Sequence, residues 1–219
     1  MATETAHLFL TGASELPPRA REAETRAERL SSLVARARTG DSQAFELLLL
    51  ATEQRVVAVA WRLLGNREDA RDAAQEVYLR VFKYLARFRE GEDFQAWLYR
   101  IAVNVCRDVA RKRRAGREEQ IEDCETDARH AAFENAREED VEARALRAQR
   151  LALVRLALAT LPEKERAALV LRDLEGLSTE EVARALGSRP VTVRSQVASA
   201  RAKIKVYCDR LLQRGGAAR

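Results

Sequence analysis

Residues 177–204 read LSTEEVARALGSRPVTVRSQVASARAKI, and the organisation of the whole chain follows from this run. Ser178, with Glu181 three residues later, has the form of a capping box, and Leu177 and Val182 stand where a hydrophobic staple would fix the chain's entry into a helix. Ala183 lies four residues before Gly187, and Val193 six residues after it. That is the spacing of a helix-turn-helix: a small residue where two helices touch, a glycine for the left-handed turn, and an apolar anchor on the second helix. The second helix then divides. Val193, Val197, Ala200 and Ile204 form an inner stripe, Thr192, Ser195, Gln196 and Ser199 an outer one, and Arg189, Arg194, Arg201, Lys203 and Lys205 surround it. A plain helical hairpin would share the inner stripe. Hydroxyls and an amide suited to base edges, flanked by cations suited to phosphates, favour a helix made for the DNA major groove.

Upstream, the stripe Ala145, Leu146, Leu151, Val154, Leu158 and Leu161 leads to Pro162, which fits a first helical turn, and the next helix is expected over 163–174 before Gly176. Before that lies a different helical body. A helix with Leu30, Leu33, Val34 and Ala37 on one face ends at Gly40, with Asp41 as the N-cap of the next. Apolar residues from Phe45 to Leu64 keep helical spacing up to Gly65, and Asn66 with Asp69 caps a third helix. Its stripe is Ala70, Ala73 or Ala74, Val77, Val81, Leu85 and Phe88; Asp72, Gln75, Glu76, Arg80 and Lys83 form a polar opposite face. After the loop 89–93, a fourth helix buries Phe94, Trp97, Leu98, Ile101, Ala102, Val105 and Val109 and ends in Arg111, Lys112, Arg113 and Arg114. Seven of the twelve aromatic residues fall between positions 78 and 99, mostly as core, with a minority near the loop placed to stack on unpaired bases.

The 219 residues are 47% hydrophobic and 33% charged, with a net charge of +5, a balance expected where surface outweighs core. The charge is unevenly spread: +3 over residues 41–115, −7 over 116–145 and +8 over 146–219. The acidic stretch has Ile121, Phe133 and Val141 as almost its only large apolar residues, so it reads as a linker. It is either a solvated spacer or a screen that repels nucleic acid from a neighbouring basic face. Nine glycines, four prolines and the absence of period-two alternation argue against strands. The expected fold class is therefore all-α: two small helical domains joined by an acidic flexible linker, the C-terminal one a helix-turn-helix. The expected divisions are an N-terminal extension over 1–27, a first domain over 28–115, the linker over 116–145, the second domain over 146–212 and a tail over 213–219. Cys106, Cys124 and Cys208 are widely spaced and His7 and His130 are the only histidines, so no disulfide framework or metal site is expected. With no membrane span and no signal-peptide pattern, the expected location is cytoplasmic. No nucleophile–base pair, paired carboxylates or phosphate loop suggests an enzyme.

Both bodies, in this order, resemble an extracytoplasmic-function sigma factor of the sigma-70 family. The resemblance rests on GDSQAFELL (40–48), DARDAAQEVYLRVFKYLARF (69–88), FQAWLYRIAVNVCRDVARKRR (94–114) and the residues from 161 to 204. It implies a non-enzymatic promoter-specificity subunit, without cofactor, that joins core RNA polymerase. Asp72, Gln75, Glu76 and Arg80 would meet the clamp helices of the largest polymerase subunit. Arg89, Glu92, Phe94 and Gln95 would lie at the pocket for a flipped −10 base. Tyr99, Arg100, Asn104, Arg107, Arg111, Arg113 and Arg114 would follow along the −10 strand and fork. Arg189, Thr192, Arg194, Ser195, Gln196, Ser199 and Arg201 would read the −35 element. An anti-sigma factor is the implied inhibitor. The rival readings are a stand-alone helix-turn-helix regulator, which leaves the polar face of 72–80 and the Arg111 cluster without a task, and a protein-only helical adaptor, which leaves the recognition helix without one.

Overall fold

The computed structural model describes the backbone of residues 18–89, 91–119 and 141–216, and within these the side chains of residues 28–89, 91–115, 149–211 and 213. Glu90, most of the N-terminal extension and most of the expected linker, including Cys124 and His130, lie outside the described residues. Eight α-helices and no strand are found among the described residues. The chain divides into two compact units, Met1–Ala51 and Thr52–Arg219.

In the first unit, α1 (Pro18–Arg38) is joined by a tight turn to α2 (Ser42–Leu64), which runs on into the second unit. Gly40 takes φ +95°, the left-handed conformation that glycine adopts without a Cβ clash. Asp41 caps α2 by accepting from the Ala44 N–H at 2.9 Å and also receives the Arg36 guanidinium at 2.7 Å, and these partners hold its carboxyl below the usual carboxylate range. Among the described residues of this unit, Leu30, Val34, Ala44 and Leu48 are the buried apolar ones.

The second unit contains the rest of α2, then α3 (Arg67–Tyr84), α4 (Phe94–Glu119), α5 (Val141–Ala159), α6 (Glu163–Leu169), α7 (Thr179–Leu186) and α8 (Pro190–Gly216). Asn66 caps α3 through the Glu68 N–H at 2.8 Å, while Asp69 is used elsewhere, accepting from Arg113 at 3.0 Å. The third helix is shorter than its sequence stripe. α3 stops at Tyr84, a single 3₁₀ turn covers Leu85–Arg87, and Phe88 is extended. The 3₁₀ turn keeps an i to i+3 spacing, so Leu85 and Phe88 remain buried although the α-helix has ended. Phe88 turns the chain by packing against Phe94 and Trp97, at centroid distances of 5.7 and 5.2 Å. α4, by contrast, continues past Arg114 through Gly116 to Glu119. A single interior glycine costs a helix only about 1 kcal/mol.

The helix expected over 163–174 is α6 followed by a π-helical turn, Val170–Leu174, closed at Gly176 with φ +78°. The widened turn inserts an extra residue between the core positions Val170 and Leu171 and the buried Leu177. α6 and α7 pack on α8, and α7 also packs on α4. A single core results. Val59 of α2 and Tyr99 and Val103 of α4 are buried together with Leu158, Leu161, Leu171, Leu177, Val182, Val193 and Val197. The two helical bodies of the second unit, 52–119 and 141–216, thus bury one another.

Candidate nucleic-acid interface

The helix-turn-helix is built by contacts between near neighbours. Ser178 Oγ accepts from the Glu181 N–H at 3.2 Å and a Glu181 carboxylate oxygen accepts from the Ser178 N–H at 2.5 Å, which satisfies two N-terminal amides of α7. The Leu177 and Val182 pair is buried, as a staple requires. Gly187 sits at φ 61°, ψ 37°, and its N–H reaches the carbonyls of Ala183 and Arg184. The turn delivers Val193, Val197 and Ala200 to the core, so Arg189, Thr192, Arg194 and Ser195 are exposed at the start of α8. Gln196 is half-buried, and its Oε1 has no hydrogen-bond partner among the described residues. Further along α8, the expected DNA contacts have protein partners. Ser199 donates to Glu165 at 3.2 Å, Lys203 donates to both Glu165 oxygens at 2.8 Å, and Arg201 forks onto Asp173 at 2.9 and 2.7 Å. The Arg201 pairing pulls the Asp173 carboxyl below its ordinary value. The first two turns of α8 therefore hold its outward polar groups, and the later ones tie it to α6 and the π turn.

Along α4, Arg100, Asn104 and Arg111 are exposed on one stripe. Asp93 caps the helix by accepting from the Gln95 N–H at 2.8 Å and the Ala96 N–H at 3.3 Å. Arg89 and Glu92 are exposed beside it, and Gln95 is half-buried. Two residues expected to meet DNA face inward instead: Phe94 belongs to the aromatic cluster with Phe88 and Trp97, and Tyr99 is 2% exposed. Tyr99 donates its hydroxyl proton to Glu175 at 2.8 Å, and burial together with that carboxylate raises its pKa. Arg107 and Arg114 pair with Glu163 at 3.2 and 3.0 Å.

On α3, Asp72 and Gln75 are exposed and Glu76 and Arg80 half-exposed. Arg80 donates to Glu76 at 2.7 Å and reaches Asp108 of α4 at 3.4 Å, and Asp108 also accepts from Arg111 at 2.8 Å. One charge network therefore connects the polar face of α3 to the cationic stripe of α4. The sequence reading missed Leu79 and Phe82, which stand 66% and 71% exposed on α3. The signal was available, since neither fits the stripe Ala70, Ala73, Val77 and Val81. Val191, 67% exposed at the start of α8, was missed for the same reason. Among the described residues, no helix is long and apolar enough to cross a membrane, and no group of His, Cys, Asp or Glu is placed to hold a metal ion.

Comparison with known proteins places both halves. Residues 48–138 match the family model for Sigma-70 region 2, and residues 151–204 that for Sigma-70, region 4. The chain is 35% identical over 189 residues to the RNA polymerase sigma-H factor of Pseudomonas aeruginosa, covering 85% of this chain and 97% of that one. It is 33% identical over 186 residues to the ECF RNA polymerase sigma-E factor of Escherichia coli K12, covering 83% of this chain and 95% of the other. The structure of CnrH, solved in complex with the cytosolic domain of CnrY, superposes with a TM-score of 0.61 at 27% identity, over 83% of this chain and 98% of that one. With region 2 and region 4 present in order and relatives matched over nearly their full length, the chain belongs to the extracytoplasmic-function sigma factors of the sigma-70 family, the RNA polymerase subunits that direct promoter-specific transcription initiation.

Proposed function

We propose that this sigma factor docks on the clamp helices of core polymerase through the α3 face of Asp72, Gln75, Glu76 and Arg80, reads the −35 element with the start of α8, and steadies the melted −10 strand along α4. It acts by binding, with no chemistry of its own, in the cytoplasm where polymerase works. The observation that carries the reading is the start of α8, where Arg189, Thr192, Arg194 and Ser195 point outward from a helix anchored by Val193 and Val197. A helix so anchored presents donors and cations to the major groove, and each good bidentate base contact adds about 1–3 kcal/mol of discrimination. Val191 adds an apolar surface suited to a thymine methyl group. On α4, Arg100 and Arg111 supply phosphate attraction and Glu92 is suited to accept from a cytosine amino group. As CnrH was solved with the cytosolic domain of a second protein bound, an anti-sigma factor is the third partner.

The test is reconstitution with core polymerase followed by run-off transcription from candidate promoters. Core binding and a discrete transcript are expected. Duplex binding without core binding would replace this reading with that of a stand-alone helix-turn-helix regulator. Gln75→Ala combined with Glu76→Ala should weaken core affinity with the circular dichroism spectrum unchanged; unchanged affinity would remove the α3 face from the interface.

A further inference from the structure

The outward groups of α8 recur every seven residues, a step that returns to within about 20° of the same direction on a helix. Ser199 stands seven residues after Thr192, and Arg201 seven after Arg194. The first of each pair is exposed, whereas the second is held by the protein. Two carboxylates from separate turns do the holding. Glu165 of α6, itself half-buried, accepts from Ser199 at 3.2 Å and from Lys203 at 2.8 Å on each oxygen. Asp173 receives the Arg201 guanidinium at 2.9 and 2.7 Å. It is carried on the π-helical turn Val170–Leu174, an element that is rare in proteins and frequent at functional sites. The inner face of α8 is apolar, with Val193, Val197 and Ala200 buried. Apolar packing is non-directional, so it fixes how close α8 lies more firmly than how it is turned about its axis. A forked guanidinium–carboxylate pair adds the missing direction.

We infer that Glu165 and Asp173 are positioning residues for promoter reading: they clamp α8 through Ser199, Arg201 and Lys203, and so set which base edges Arg189, Thr192, Arg194 and Ser195 meet. Ser199 and Arg201 are then clamp points and not contacts to DNA. The inference rests on the proposed −35 reading of α8. Side-chain tips lie about 5–6 Å from a helix axis, so a rotation of about 20° carries each of them about 2 Å. A hydrogen bond to a base edge spans only about 2.7–3.2 Å, and a displacement of about 2 Å breaks it. Rotation that the apolar face tolerates is therefore enough to scramble the reading. The placement of the clamp also suits the task. The N-terminal residues of a recognition helix make its base contacts. Ser199 and Arg201 stand about 10 Å further along the axis, at about 1.5 Å per residue, where they can be held while the tip stays clear.

The experiment uses the full chain and a pool of fluorescein-labelled duplexes with a randomised central segment, from which the parent selects a preferred duplex; a scrambled duplex of the same composition is the reference. Anisotropy over a salt series gives the ratio of the two affinities and the salt slope of each, and circular dichroism with thermal melting reports the fold. Arg201→Ala and Asp173→Asn should each lower the ratio by about fivefold or more, the loss of at least one base contact, with the salt slope on the scrambled duplex unchanged. Glu165→Gln is the milder variant and should give a smaller loss. The reversed pair, Asp173→Arg with Arg201→Asp, should recover most of the ratio. If Arg201 grips a phosphate instead, Arg201→Ala weakens both duplexes equally and lowers the salt slope by about one, while Asp173→Asn tightens both; that result overturns the inference. A lower melting temperature with an unchanged ratio also overturns it, because the clamp then serves stability alone. Arg194→Ala separates these failures from that of the underlying reading. If it lowers the ratio while the clamp variants do not, the −35 reading stands and the inference is overturned; if no duplex is preferred, or Arg194→Ala leaves the ratio unchanged, the −35 reading fails and the inference falls with it.

Discussion

The start of α8 and the length of α4 are both cationic, and the fold treats them in opposite ways. Arg189, Thr192, Arg194 and Ser195 are exposed in the free protein because the capping box and Gly187 turn Val193 and Val197 inward. On α4, Tyr99 is in the core and Arg107 and Arg114 are paired to Glu163. The face proposed for the −35 element is thus preformed by its own domain, whereas on α4 Arg100, Asn104 and Arg111 are exposed and Tyr99, Arg107 and Arg114 are taken up by the other body. A cationic face stays open where local turns set it and is partly closed where carboxylates remote in sequence reach it.

The strongest way to break this comparison is to loosen the shared core. Leu171 is fully buried, and Leu171→Ala should cost about 2–5 kcal/mol. Both tryptophans, Trp61 and Trp97, lie in the N-terminal body. If the two bodies unfold together, the tryptophan fluorescence transition in denaturant should shift as far as the circular dichroism transition; an unmoved fluorescence transition would mean that the bodies are energetically separate. Next in size, Arg194→Ala should lose about 1–3 kcal/mol of discrimination between cognate and altered −35 duplexes. An equal loss on every sequence would reassign Arg194 to a phosphate. Ser178→Ala removes one side of the capping box and should lower stability by about 1 kcal/mol without moving the exposed readers of α8.

The smallest effect sharpens the contact between the bodies. Burial and a hydrogen bond with Glu181 raise the Asp93 pKa; burial opposes the shift at Glu181, but hydrogen bonds from Ser178 and Asp93 bring its pKa below the ordinary value. The raised Asp93 favours the folded contact when protonated, a contribution lost as pH rises through its folded pKa. The lowered Glu181 contributes when ionised, and that is lost as pH falls through its own folded pKa. The folded contact should therefore be favoured between the two values and weaken on both sides. Asp93→Asn keeps the cap oxygen and removes the titration, so the melting temperature of the parent should gain on this variant as pH falls from 7 towards that window. A constant difference across the range would remove Asp93 from the contact.

Local signals were legible. Ser178 and Glu181, Asn66, Asp41, and the left-handed Gly40 and Gly187 act on partners within a few residues, so spacing along the chain defines them. The helix-turn-helix and the exposed polar groups Arg189, Thr192, Arg194 and Ser195 follow from those same local rules. Legibility failed where the deciding partner is remote. Phe82 reads as one more aromatic in a crowded stretch, yet it is exposed because α3 turns that face away from α4. Val154 fits a helical stripe but is exposed, while Leu158 on the same helix is buried. Glu163 and Glu175 carry no signature at all, since a glutamate gains such a partner only when a tyrosine or arginine distant in sequence is folded against it.

From the sequence by itself came the all-helical class, the helix boundaries set by caps and glycines, and the polar and cationic faces of α3, α4 and α8, because helical periodicity and capping are short-range. Only the tertiary structure decided that two bodies share one core, that Tyr99 faces inward, and that three carboxylates, Glu163, Asp173 and Glu175, take up cations and a phenol. The physical reason is that burial and charge pairing depend on which surfaces meet, and contacts between residues 62 and 175 or 99 and 175 leave no periodic trace in the chain.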